Sequence, residues 1–263
     1  VAIGASALLS NTTGGNNFAG GIQALDANTT GAENIGIGSN ALGANTTASN
    51  NVGIGGGALS ANTTGYSNTA VGRSALNSNT TGDNNTAMGG YDIPGGIGGA
   101  LQTNTTGDSN TAYGVGALQA NSTADDNTAV GKSALQTNST GGNLVAVGKG
   151  ALESNTTANN NVAVGLRALN ANTTGADNTA MGRDALYANT SASKNTAVGY
   201  FAGVAITTGT DNVFIGSNSG SNVTTGGANI IIGDSDGSAN NTSHQIIMGN
   251  GVTGEGQDDF TLG

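Results

Sequence analysis

The chain has 263 residues, including 47 Gly, one Pro and no Cys or Trp, and its 16 acidic and 6 basic side chains leave a net charge of −10. That balance disfavours nucleic acid as a partner. The missing Cys excludes disulfide staples and thiolate metal sites, and no apolar run is long enough to span a bilayer. So much Gly, Asn, Thr and Ser would suggest disorder, but the apolar residues keep a strict spacing that a disordered chain does not need.

The chain opens mid-motif at Val1-Ala2-Ile3-Gly4, as a fragment of a longer protein would. The glycine of that motif recurs at Gly21, Gly38, Gly55, Gly72 and Gly89, then from Gly114 through Gly131, Gly148, Gly165, Gly182, Gly199, Gly216 and Gly233 to Gly249. Nearly every step is 17 residues. The step from Gly89 to Gly114 carries eight more, and the last is one short. Such self-similarity is the signature of a solenoid whose coils stack on one another.

Counted from the anchor glycine, the repeat reads GxxALxxNTTGxxNTAV. Thr or a branched apolar residue, then Ala or Gly, then a large apolar residue precede each anchor, as in Thr69-Ala70-Val71. This alternation predicts a short strand, with branched side chains turned to the core. On this reading the small residues face something that comes very close. The seam Ala70, Ala87, Ala129, Ala163, Ala180 and Ala197 would then line a contact between identical chains, and three chains around an axis would serve. The Ala-Leu pair after the anchor is either a strand with one member facing a partner or a tight turn with both inside. Asn-Thr-Thr-Gly predicts a turn, and together with the Asn that opens each strand it predicts ladders of Asn and Thr along the stack.

Residues 1–199 form the regular region and 200–263 an atypical end. Gly90 to Ile97 is a surface excursion that contains the only Pro, with Tyr91 and Asp92 as candidate ligand contacts. From Gly199 the small seam becomes Phe214, Ile231 and Ile247, and Ala-Leu becomes Ala202-Gly203, then Ser219-Gly220. Strands apolar on both faces predict burial on both, as in a tapering end where chains pack more closely. Arg73, Lys132, Lys149 and Arg183 directly follow anchors, and Asp83, Asp108 and Asp125 precede them by six residues, giving a basic and an acidic edge on different corners.

Catalytic groups are sparse. There is one His, His244, and no recurrent carboxylate pair for acid–base work. Asp234, Asp236 and Asn240 alternate as in a calcium loop but lack its closing Glu. They are the only metal candidates, and no other cofactor is implied. Asn-x-Thr/Ser sequons such as Asn62-Thr63-Thr64 recur and would accept sugar if the Asn faces solvent.

The Asn-Thr-Ala-Val-Gly and Val-Ala-Ile-Gly stretches resemble the head repeats of trimeric autotransporter adhesins, which have a shorter period. The form with Ala-Leu and Asn-Thr-Thr-Gly resembles repeats of phage tail fibres. The resemblance covers almost the whole chain and implies a homotrimeric, left-handed parallel β-roll or β-solenoid in a surface fibre. The expected fold is therefore all-β, a parallel β-solenoid of 17-residue coils. About 15 coils at roughly 4.8 Å each would make an elongated rod near 70 Å long. The expected role is a structural or adhesive section of an extracellular or virion fibre, with itself and surface glycans as partners. An ice-binding solenoid and a glycan-degrading solenoid are the rivals.

Overall fold

A computed structural model describes residues 1–91, 96–235, 242–254 and 256–263. The chain is a parallel β-solenoid, and the described residues contain no helix. It divides into two compact units, Val1–Thr140 and Gly141–Gly263. The first unit holds β1 (Ala2–Ile3), β2 (Phe18–Gly20), β3 (Ile35–Ile37), β4 (Val52–Ile54), β5 (Thr69–Val71), β6 (Thr86–Met88), β7 (Thr111–Tyr113) and β8 (Thr128–Val130). The second holds β9 (Val145–Val147), β10 (Val162–Val164), β11 (Thr179–Met181), β12 (Thr196–Val198), β13 (Val213–Ile215), β14 (Ile230–Ile232), β15 (Ile246–Met248) and β16 (Phe260–Leu262). Within each unit every strand pairs in parallel with the next, so repeat-equivalent residues stand side by side: Thr69 on Thr86, Ala70 on Ala87 and Val71 on Met88.

The anchor glycine is fixed by two constraints. At Gly165 φ is +140°, a conformation that L side chains rarely adopt, and an added Cβ would collide with the carbonyl oxygen of Gly182 one coil on. The Ala-Leu stretch is a tight turn with both side chains inside. Ala75 and Leu76 are fully buried, and Leu76 has φ +50°. Leucine occupies this left-handed conformation in coil after coil, at some conformational cost, because the turn delivers it to the interior.

That leucine reverses the expected facing of the strands. The mid-strand residue points inward and the branched residues point outward. The alanines Ala70, Ala87, Ala129, Ala163, Ala180 and Ala197 are all fully buried within the chain itself, so they do not line a contact between chains. The close neighbour they need is the leucine turn. At Gly36 an added Cβ already lies 3.3 Å from Leu25 Cγ and 3.1 Å from the Ala41 carbonyl. A branched residue there would overfill a coil that contains the leucine.

Two asparagine ladders complete the interior. Asn28 Nδ2 donates to Asn11 Oδ1 (2.8 Å) in the preceding coil and to the Gly31 carbonyl (2.9 Å) in its own. Asn17, which opens a strand, donates to the same carbonyl (2.7 Å), and its Oδ1 accepts the Asn34 N–H (2.9 Å). One inward-turned carbonyl per coil is therefore saturated from two sides, which satisfies a polar group buried within the coil.

The atypical end has a rebuilt interior. Phe214 is fully buried, and the turn leucines beside it are replaced by Gly203 (φ +57°) and Gly220 (φ +61°). A Cβ on Gly203 would lie 2.5 Å from Phe214 Cδ2, and one on Gly220 would collide with its Cδ1. Ile206 and Val223, both fully buried, stand where the turn asparagine stood. The coil itself buries only one face of these strands. Phe214, Ile231 and Ile247 are buried, whereas Ile215, Ile230, Ile246 and Met248 are exposed on the chain, because only the mid-strand residue points into the coil.

Candidate interaction face

Each three-residue strand turns its first and third side chains to the outside. In the first unit these columns run through Ile35, Val52, Thr69, Thr86, Thr111 and Thr128, and through Ile37, Ile54, Val71, Met88, Tyr113 and Val130. In the second they run from Val145 and Val147 to Phe260 and Leu262. Neither column contains an acidic, basic or amide side chain, in a chain of net charge −10. Exposure reaches 40% at Ile37, 44% at Met181 and 64% at Phe260. Parallel sheets are ordinarily covered on both faces, and a large apolar surface rimmed by polar residues marks an interaction site.

The polar corners are largely occupied by the fold. Thr63 Oγ1 donates to the Thr80 carbonyl (3.0 Å), whereas the next residue, Thr64, is exposed. The expected acidic edge is a hydrogen-bonded column. Asp83 accepts the Tyr66 N–H (2.9 Å), Asp108 that of Asp83 (2.7 Å) and Asp125 that of Asp108 (2.7 Å). Ser49 and Ser193 accept in the same way through Oγ (3.0 Å each). The sequon asparagines Asn62, Asn121 and Asn172 are fully buried, so the folded chain does not present their amides to solvent.

Tyr91 is 40% exposed, and its N–H donates to the Arg73 carbonyl (3.1 Å). Its companion Asp92 lies outside the described residues. Of the calcium candidates, Asp234 lines an open cleft of about 380 Å³ with Ser235, Asn250 and Thr253, while Asp236 and Asn240 lie outside the described residues. Among the described residues no three His, Cys, Asp or Glu side chains gather as metal ligands. His244 Nδ1 stands 3.8 Å from Asp258 Oδ1, both well exposed.

One cluster escaped the sequence reading: Arg167, Arg183 and Asp184 with the rings beside them. Arg167 and Asp184 are opposite charges one 17-residue period apart, and superposing successive repeats would have shown it. Comparison with protein-family models, curated proteins and solved structures finds no match to this chain.

Proposed function

We propose that the chain is a section of a structural and adhesive surface fibre, extracellular or on a virion, assembled as a homotrimer. The observation that carries this reading is the outward strand face, which is uncharged, built of large apolar residues and Thr, and exposed on the chain although the sheet is parallel. The strands give fifteen outward residues in the first unit, where β1 supplies only Ile3, and sixteen in the second, approaching the roughly 20–30 residues a side of a stable protein interface. The resemblance to trimeric adhesin and tail-fibre repeats supplies the number three. The chain acts by holding and repeating a contact, so avidity rather than catalysis is its mechanism. Mass in solution by light scattering tests this: three chains are expected and a monomer overturns it. Ile54→Glu and Val164→Glu place charge on the face without touching the core, and each is expected to shift the mass toward one chain.

A second reading has one observation in its favour. Thr30, Thr47, Thr64, Thr81 and Thr106 form an exposed hydroxyl column repeated coil by coil, which suits an ice-binding surface. The asparagines that would have widened that array are inside the coils. Thermal hysteresis in dilute solution would favour this reading, and its absence removes it.

A further inference from the structure

The second unit carries one corner unlike any other. Arg167, Asp184 and Phe201 occupy the same place in three successive coils, two residues after the anchor glycine. Their backbones are clamped by a ladder in which the N–H groups of Arg167, Asp184 and Phe201 donate to the carbonyls of Lys149, Leu166 and Arg183 (2.9–3.0 Å). The Asp184 side chain is only 1% exposed. Arg167 Nη2 donates to its Oδ2 (3.0 Å), and Arg167 Nε lies 2.8 Å from Oδ1 without hydrogen-bond alignment. Arg183 Nε donates to the same Oδ2 (3.0 Å). The hydrogen bond and charge of Asp184 raise the Arg167 pKa further above its ordinary value, so that cation persists at any working pH.

One buried carboxylate thus fixes two guanidiniums and leaves a positive charge over. The Arg side chains remain 43% and 52% exposed, and among the described residues neither Nη group of Arg183 makes a hydrogen bond. Aromatic rings flank them. Arg167 lies 5.0 Å from the Tyr187 ring centre and Arg183 lies 5.7 Å from that of Tyr200. Tyr200 is 44% exposed and is propped against Phe201 at 4.2 Å.

We propose that this corner binds an anionic saccharide. A carboxylate or sulfate meets the planar, pre-oriented Arg183 fork, and the apolar face of the sugar ring lies on Tyr200. The net charge of −10 repels a polyanion from most of the remaining surface, so selectivity for charge and for place go together. The proposal names a ligand class for the adhesive reading, yet fails separately from it: a chain that assembles but ignores acidic saccharides sinks only this site.

The test is titration of the purified chain with polygalacturonate, dextran sulfate and neutral dextran at physiological salt. Binding to at least one polyanion and not to dextran is expected, and the polyanion bound tells carboxylate from sulfate recognition. Arg183→Lys, which keeps the charge and loses the fork, and Tyr200→Ser are each expected to weaken binding about tenfold or more, a loss of about 1.4 kcal/mol. Arg73→Ala, at a cation of the first unit, leaves it unchanged. Equal binding of neutral dextran, an unaltered Arg183→Lys variant with native circular dichroism, or an equal loss in Arg73→Ala overturns the proposal.

Discussion

The coils of the first unit and the last coils of the second fill the same backbone with different chemistry. In the first, a mid-strand Ala, a turn Leu and a turn Asn meet in each interior, as with Ala70, Leu76 and Asn79. In the last coils Phe214 reaches inward from the strand, Gly203 and Gly220 vacate the turn, and Ile206 and Val223 replace the polar ladder. Bulk has moved from turn to strand, and the turn-side ladder has become apolar while the strand-opening Asn195, Asn212 and Asn229 continue theirs. What the coil requires is therefore a filled interior at constant backbone geometry, not any one residue.

Breaking that exchange should give the largest effect. Phe214→Ala leaves a void that neither glycine can fill, and a loss of about 3–5 kcal/mol in urea unfolding is expected. Adding Gly203→Leu to that variant rebuilds the ordinary arrangement and should recover part of the loss, whereas Gly203→Leu alone overpacks and should destabilise. Leu76→Ala, the matching truncation in the first unit, is expected to cost about 2–5 kcal/mol. If it proved neutral, the turn leucine would not be the core residue assigned here.

The polar ladder sharpens the comparison. Asn62→Ile removes one donor to Asn45 Oδ1 (3.0 Å) and another to the Gly65 carbonyl (2.8 Å), and should cost about 1–3 kcal/mol. In the second unit the ladder is already interrupted. Asn189 Nδ2 donates to the Ala192 carbonyl (3.0 Å) and its Oδ1 accepts the Ala192 N–H (2.9 Å), while among the described residues Asn172 Oδ1 has no hydrogen bond. Asn189→Ile, the exchange already present at Ile206, should therefore cost less than Asn62→Ile under the same conditions. Thr64→Ala, on an exposed hydroxyl, should change stability by no more than about 0.5 kcal/mol.

Period, strand positions and stacking were legible in the sequence because the solenoid writes one local rule repeatedly. The anchor glycines, the Thr-Ala-Val strands and both Asn columns fall where spacing alone puts them. The facing of the strand was not legible. Alternation says that Ala70 and Val71 point to opposite sides, but not which side is inside, and the larger side chain is the natural candidate for the core. The Arg167–Asp184 pair was hidden for another reason: its members are neighbours only across coils, and a reading along one repeat never sets them together.

The sequence by itself determined the coil length, the register and the class of fold, since a glycine forced by φ and by close approach every 17 residues leaves the stack no other alignment. The tertiary structure alone decided which face was interior. Leucine enters from a left-handed turn and takes up the coil's width, so only a small residue fits opposite it and the branched side chains are displaced outward.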